Sequence, residues 1–297
     1  MTDITLLDGA VGQELVKRSG DSPTPLWSTR VMIDHPELVG KVHAEYFRRG
    51  ASVATTNTYA VHRSRLVREG IEDQLDKLID TALSQAQIAR RGTQGRIAGS
   101  LGPLLASYRP DLNPDPLDAA AKFAELVGLM GDQVDLFLIE TVCSLREAEG
   151  TLRGTANCRK PVWLALSVME DDGARLRSGE ALGDIAPLVA QFTPDALLIN
   201  CSRPEAVPAA LEILAGMGLP YGAYANGFTH ISDGFLEDAP TVDSLEQRQD
   251  LGPNAYAEHA MSWVAQGATI VGGCCEIGPD HIEVLAQKLR SAGHRIV

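Results

Sequence analysis

Apolar positions along the chain fall into short continuous runs separated by stretches with helical spacing. The runs cover 4–7, 51–55, 96–101, 134–139, 161–168, 196–199, 221–225 and 268–271. Between them, apolar residues recur three or four positions apart. Leu38, Val42 and Tyr46 form one such stripe, and Leu75, Leu78, Ile79, Ala82 and Ala86 another. Phe123, Leu126 and Met130, then Val207, Leu211 and Leu214, then Tyr256, Ala260 and Trp263 follow, and Ile282, Leu285 and Leu289 close the series. Such spacing predicts helices. Asp34 with Glu37 and Ser144 with Glu147 read as capping boxes, and Pro204 and Pro279 as helix starts. Continuous apolar strands alternating with helices are the pattern of a parallel sheet covered by helices. Eight such units in 297 residues predict a closed (β/α)8 barrel, an α/β fold with a single domain over 1–297. An open doubly wound sheet would want G-x-G-x-x-G after the first strand, and Gly9 with Gly12 does not supply it.

Composition narrows the classes. The net charge of −13 argues against non-specific nucleic-acid binding. No apolar run is long enough to cross a membrane, and the first residues lack a basic and then apolar leader. Five cysteines in a chain of this length do not make a disulfide framework, so a cytoplasmic setting is expected. There, clustered thiols mean metal, catalysis or redox chemistry.

In a barrel of this kind the C-terminal ends of the strands meet on one face, where the chemistry occurs. Here those ends are Asp8, Thr56, Asn57, Ser100, Glu140, Thr141, Ser167, Asn200, Cys201, Asn226, Cys274 and Cys275. Strands six and eight are separated by one neighbour, so Cys201 can face Cys274 and Cys275. Three thiolates suit Zn2+ and leave a coordination position open, the arrangement of catalytic zinc. Two other readings remain open on the cysteine pattern alone: the adjacent pair as buried core residues, or as a vicinal disulfide.

The motifs in order are Asp8-Gly9-Ala10-Val11-Gly12, Thr56-Asn57-Thr58-Tyr59, Gly99-Ser100-Leu101-Gly102-Pro103, Ile139-Glu140-Thr141, Asn200-Cys201 and Gly272-Gly273-Cys274-Cys275. In these the chain resembles the zinc-dependent homocysteine S-methyltransferase family over nearly its whole length. The resemblance implies a (β/α)8 barrel with zinc on Cys201, Cys274 and Cys275. It also implies that Asp8, Gly9, Thr56 and Glu140 hold the amino-acid portion of homocysteine, and Asn200 joins them as a substrate-side candidate. Asp8 and Glu140 suit an ammonium group, and the backbone of Gly9 can approach a carboxylate closely. The expected partners are homocysteine and a small methyl donor carrying a sulfonium or quaternary ammonium, and the expected product is methionine.

Glu276, just after the cysteine pair, departs from the family's more usual Arg or Gly, which bears on the donor. So does the loop after Asn226, which carries Asp233, Glu237, Asp238 and Asp243 and reads as an acidic, aromatic-poor lid, as part of the donor site, or as a solvated surface loop. Trp27 is a packing residue or a cation–π contact for the donor, and Trp263 a packing residue. Cys143, Cys158, His62, His230, Arg63 and Arg65 are weaker candidates for the site. Two other functions stay in view: a thiol-activating barrel that works with a separate corrinoid protein, and a zinc or thiol-redox sensor without catalysis.

Overall fold

The computed structural model describes residues 2–237, 241 and 244–297. Eight strands run in parallel: β1 (Asp3–Leu6), β2 (Val53–Thr55), β3 (Arg96–Leu101), β4 (Leu136–Val142), β5 (Val162–Leu166), β6 (Ala196–Asn200), β7 (Tyr221–Tyr224) and β8 (Ile270–Val271). Neighbours pair in sequence order from β2 to β8, and β8 pairs with β1. A bridge from Leu7 to Val53 closes the ring, held by hydrogen bonds from Asp8 N to Val53 O and from Ser52 N to Leu6 O of 3.0 and 2.7 Å. The fold is thus the expected single-domain (β/α)8 barrel. The alternation of strand and helix covers both faces of the parallel sheet, and the Leu7–Val53 bridge decides for closure over an open sheet.

Within the apolar runs a period of two is still present. Leu7, Val53, Leu138, Trp163, Leu198 and Ile270 point into the barrel and pack on one another. Ile4, Ile97, Phe137, Leu164, Ile199 and Val271 point outward into the larger core beneath the helices. That outer layer includes α1 (Val11–Ser19), α2 (Ser28–Asp34), α3 (Pro36–Arg49), α4 (Arg63–Leu66), α5 (Leu75–Arg90) and α6 (Pro116–Met130). It continues with α7 (Leu145–Thr155), α8 (Ala186–Phe192), α9 (Val207–Ala215), α10 (Pro253–Ala265) and α11 (Pro279–Ser291). Among the described residues, no helix is long and apolar enough to cross a membrane.

Four local expectations are corrected. A ninth strand, β9 (Arg295–Ile296), pairs with the start of β1 outside the barrel. Two residues are too few to produce a readable pattern. Asp34 does not cap α3: it ends α2 and binds Arg30 at 2.7 Å. Pro36, with its fixed φ and no N–H to cap, opens α3 instead. Pro204 starts a turn, and α9 begins at Val207. At α7 the Ser144 hydroxyl accepts from Glu147 N at 3.1 Å as expected, but the Glu147 carboxylate turns to Cys143 N at 2.8 Å, one residue before the cap. Pro279 does open α11, and Ile282, Leu285 and Leu289 are fully buried.

Candidate functional site

A cavity of about 430 Å3 opens at the C-terminal ends of the strands. Asp8, Gly9, Thr56, Glu140, Cys201, Cys274 and Cys275 all line it, as do Asn57 and Ser100. Asn200 does not. Its amide is fully buried and spans to β4, accepting from Thr141 N at 2.9 Å and donating to Thr141 Oγ1 at 3.2 Å. Ser167 and Asn226 are likewise spent on framing neighbouring loops, through Asn200 O and Phe228 N.

Glu140 enters the cavity because β4 keeps its alternation up to that point and then breaks it. The register against β5 shifts between Ile139 and Val142. The extra residue is Thr141, at a φ of 60°, where a β-branched side chain is strained. The bulge lets Val142 return to the outer core while Glu140 keeps the inner face, and the Asn200 amide holds the strained peptide in place.

The oxygen-bearing half of the site is closely tied. Thr55 gives its N–H and its hydroxyl to the Asp8 carboxyl at 2.7 and 2.8 Å. Glu140 receives the Ser100 hydroxyl and, at 3.0 Å, the Tyr224 hydroxyl. The Thr56 hydroxyl accepts from Ser100 N at 3.1 Å. Burial raises the Asp8 carboxyl to about 8, against the pull of its Thr55 hydrogen bonds and helped by the charge of Glu140. Burial likewise raises Glu140 to about 7, opposed by Ser100 and Tyr224. Two buried carboxyls facing one cavity can hold a cation between them once they are ionised.

Gly9 has a reason beyond the approach of a ligand. A Cβ there would lie 2.0 Å from Ile277 O. That carbonyl already receives Ala10 N at 2.9 Å, which locks the turn after β8 against the turn after β1.

The sulfur-bearing half comes from β6 and β8. Cys201 lies one residue past β6 with a φ of 47°. Cys274 continues the β7 ladder, giving its N–H to Ala225 O at 2.9 Å, and Cys275 O receives Gly227 N at 2.8 Å. All three sulfurs lie within 4.8 Å of one another and can hold a metal ion. Cys201 and Cys274 are joined as a disulfide with Cα atoms 5.7 Å apart, and Cys275 is free. The vicinal pairing of Cys274 with Cys275 does not occur. Burial, then the charges of Glu276 and Glu140, push the Cys275 thiol up to about 12.

The long seventh loop differs from its acidic, aromatic-poor expectation. Phe228 and Ile231 pack with Tyr108 directly on Cys201, and Phe235, Leu236 and Leu245 join them beside the other two cysteines. Periodicity cannot reveal this, because a loop has no fixed side-chain spacing. Asp233 is exposed, Glu237 reaches the cavity wall, and Asp238 and Asp243 lie outside the described residues. Glu276 does not line the cavity and turns to Lys17 on α1 at 2.6 Å.

The other candidates separate cleanly. Trp27 lines the cavity, its ring edge-on to Tyr59 at 6.0 Å, whereas Trp263 is core. Arg65 reaches the wall and binds Pro103 O at 2.8 Å, while Arg63 pairs with Glu125 outside. His62 is buried against Phe123, and His230 bonds its neighbour Thr229. Cys143 bonds Glu147 at 3.2 Å and Cys158 bonds Lys160 O at 3.2 Å, both away from the cavity. Sequence reasoning passed over Thr55, Tyr108, Tyr224 and Gln13. Tyr108 has no motif to announce it, yet it sits at a φ of 62° with the Arg177 guanidinium 4.8 Å above its ring.

Comparison with known proteins agrees with this geometry. The profile of the homocysteine S-methyltransferase family matches residues 5–289. The chain is 30% identical to the homocysteine S-methyltransferase of Escherichia coli strain K12, covering 97% of this chain and 96% of that one. It is similar to the crystal structure of the homocysteine methyltransferase MmuM from Escherichia coli in its metallated form, with a TM-score of 0.79 at 30% identity. The oxidized form of that enzyme gives a TM-score of 0.81 at 29% identity, and both cover 97% of this chain and 96% of that one. With the profile running from β1 into the last turn of α11, this chain belongs to the homocysteine S-methyltransferase family.

Proposed function

We propose that this protein is an enzyme that transfers a methyl group from a small cationic donor to the sulfur of homocysteine, giving methionine, with zinc on Cys201, Cys274 and Cys275. The observation that carries the reading is the meeting of three sulfurs and two buried carboxyls in one cavity. The donor set fits zinc once the disulfide is reduced. A tetrahedral ion with zinc–sulfur bonds of about 2.3 Å spaces its sulfurs roughly 3.8 Å apart, inside the 4.8 Å spread seen here. Bound there, zinc supplies a Lewis acid that stabilises the acceptor sulfur as thiolate near neutral pH, where a free thiol is mostly protonated.

The chain's own residues do the rest. Asp8 and Glu140, fixed by Thr55, Ser100 and Tyr224, hold the ammonium group of homocysteine, and its charge draws both carboxyls back to their ionised forms. Gly9 and Thr56 line the adjoining wall for the carboxylate end. Asn200 acts through Thr141, by fixing the bulge that aims Glu140. Phe228, Ile231 and Phe235 of the seventh loop, with Tyr108 from the segment after β3, keep water from the reacting sulfur. The acceptor sulfur forms its bond to the methyl carbon as the donor's bond to that carbon breaks, and the electron pair leaves with the donor. No proton needs to move in that step.

A cavity of about 430 Å3 under this roof suits small reactants rather than a protein-borne corrinoid. The test is reduced, zinc-loaded protein with homocysteine and a panel of donors: S-methylmethionine, S-adenosylmethionine and glycine betaine. Methionine from at least one of them, abolished by chelator, is the expected result. No product from any donor at full zinc occupancy sinks the reading, and product only with a methylated corrinoid protein favours the corrinoid alternative. Undetectable metal uptake with all thiols reduced would leave the thiol-redox sensor.

A further inference from the structure

His43 lies on the buried face of α3, beside Val42 and one turn before Tyr46. Its side chain is fully buried, yet neither ring nitrogen has a hydrogen-bond partner. Tyr46, on the same face, spends its hydroxyl on Ile277 O at 3.5 Å. Buried polar atoms are nearly always paired, so an imidazole with two unpaired nitrogens calls for an explanation. An apolar side chain of similar size would fill the space without leaving a polar group stranded.

One acid is within reach. His43 Nδ1 lies 4.0 Å from Asp8 Oδ2. Thr55 supplies one donor to each Asp8 oxygen, its N–H to Oδ2 at 2.7 Å and its hydroxyl to Oδ1 at 2.8 Å. A carboxylate oxygen accepts two hydrogen bonds, so Oδ2 has room for one donor more. His43 is not among the residues that line the cavity, so it meets Asp8 from the helix side and leaves the cavity side to a ligand. Burial pushes the imidazole down to about 4, so near neutral pH the ring is uncharged and carries a single N–H. A neutral donor suits this place. An imidazolium would compete with an ammonium group for the same carboxyl, whereas an N–H adds orientation without charge.

We propose that His43 is a positioning residue for homocysteine: its Nδ1–H closes on Asp8 Oδ2 and fixes the carboxyl while Asp8 holds the substrate ammonium. The closure takes about 1 Å, from 4.0 Å to hydrogen-bond distance. This rests on the homocysteine reading of the cavity. Nδ1 is the nitrogen that faces the carboxyl, so the place of the donor matters as well as its presence, and that separates positioning from packing.

The test compares three variants of the full, reduced, zinc-loaded chain, with folding checked by far-ultraviolet circular dichroism. His43→Asn puts an amide N–H near the place of Nδ1, His43→Gln puts it near the place of Nε2, and His43→Leu has none. The KM for homocysteine is expected to rise by about tenfold in His43→Leu and His43→Gln and by no more than about twofold in His43→Asn, with kcat and bound zinc unchanged. In an Asp8→Ala background, His43→Leu is expected to lower kcat/KM by less than about twofold, because the two residues act as one unit. An unchanged KM in folded His43→Leu overturns the proposal, and so does an undiminished loss in the Asp8→Ala background. Should His43→Leu not fold, equal KM values for His43→Asn and His43→Gln overturn it in its place. Wild-type protein that makes no methionine from any donor overturns the homocysteine reading itself, before the variants are compared.

Discussion

The two halves of the cavity are built on opposite plans. On the side of β1 to β4, Asp8 and Glu140 each receive two hydrogen bonds from side-chain or backbone groups set by the strands. On the side of β6 and β8, three sulfurs converge from a residue at positive φ and a tight turn, and two of them form a disulfide. The oxygen half is thus preorganised by the fold, and its geometry does not wait for a ligand. In the sulfur half Cys201 and Cys274 are bonded to each other and Cys275 is free, and reduction would release all three thiols. A site that recognises a constant part of its substrate and activates a variable one gains from this division: rigid donors and acceptors read shape, while thiols exchange partners.

The largest expected effect breaks the sulfur half alone. Cys201→Ser is expected to lower kcat/KM by about 1,000-fold or more, ~4 kcal/mol of transition-state stabilisation. It also drops zinc stoichiometry, while the thermal midpoint of the reduced, metal-free protein stays near wild type because Cys201 lies beyond the strand ladder. Undiminished zinc and activity in that variant would remove Cys201 from the site.

Next comes the oxygen half. Glu140→Gln keeps the shape but removes a charge, and the KM for homocysteine is expected to rise by about 30- to 100-fold, ~2–3 kcal/mol, with bound zinc unchanged. Equal losses of zinc and of homocysteine affinity would show that the halves are not separable. Tyr224→Phe sharpens the same point by deleting one of the two hydrogen bonds to Glu140, for an expected rise in KM of about three- to tenfold.

The smallest effect concerns pH. Asp8 and Glu140 have folded-state values raised to about 8 and about 7. The ligand-free fold therefore favours their protonated forms. That contribution to stability is fully present below about pH 4, declines as pH rises, and is gone once pH passes about 8. The thermal midpoint of the ligand-free protein is expected to fall between about pH 6 and pH 8 more steeply than that of Asp8→Asn. Homocysteine, by supplying an ammonium, should flatten the fall. Parallel curves for the two proteins would show that Asp8 is already ionised in the empty site.

Much of this is legible in the sequence. Continuous runs such as 134–139, ending in Glu140, give both the parallel sheet and the residue at its rim. The barrel then gathers Asp8, Thr56, Glu140 and the cysteines without further information. The supports of those residues were not legible. Thr55 and Tyr224 look like ordinary strand residues, and only closure of the ring lays Thr55 against Asp8 and Tyr224 against Glu140. The inward turn of Phe228 and Phe235 is hidden in a loop that reads as acidic, and Glu276, expected to bear on the donor, turns away to Lys17.

The sequence by itself determined the elements, their order and the chemical identity of the rim, because hydrophobic periodicity and residue type are local properties. The tertiary structure alone decided which polar strand ends face the cavity and which are spent on the frame. Asn200 and Cys201 are neighbours, yet one is locked under Thr141 and the other meets Cys274. The difference is set by a positive φ and by the register of adjoining strands, and register depends on contacts between residues far apart in the chain.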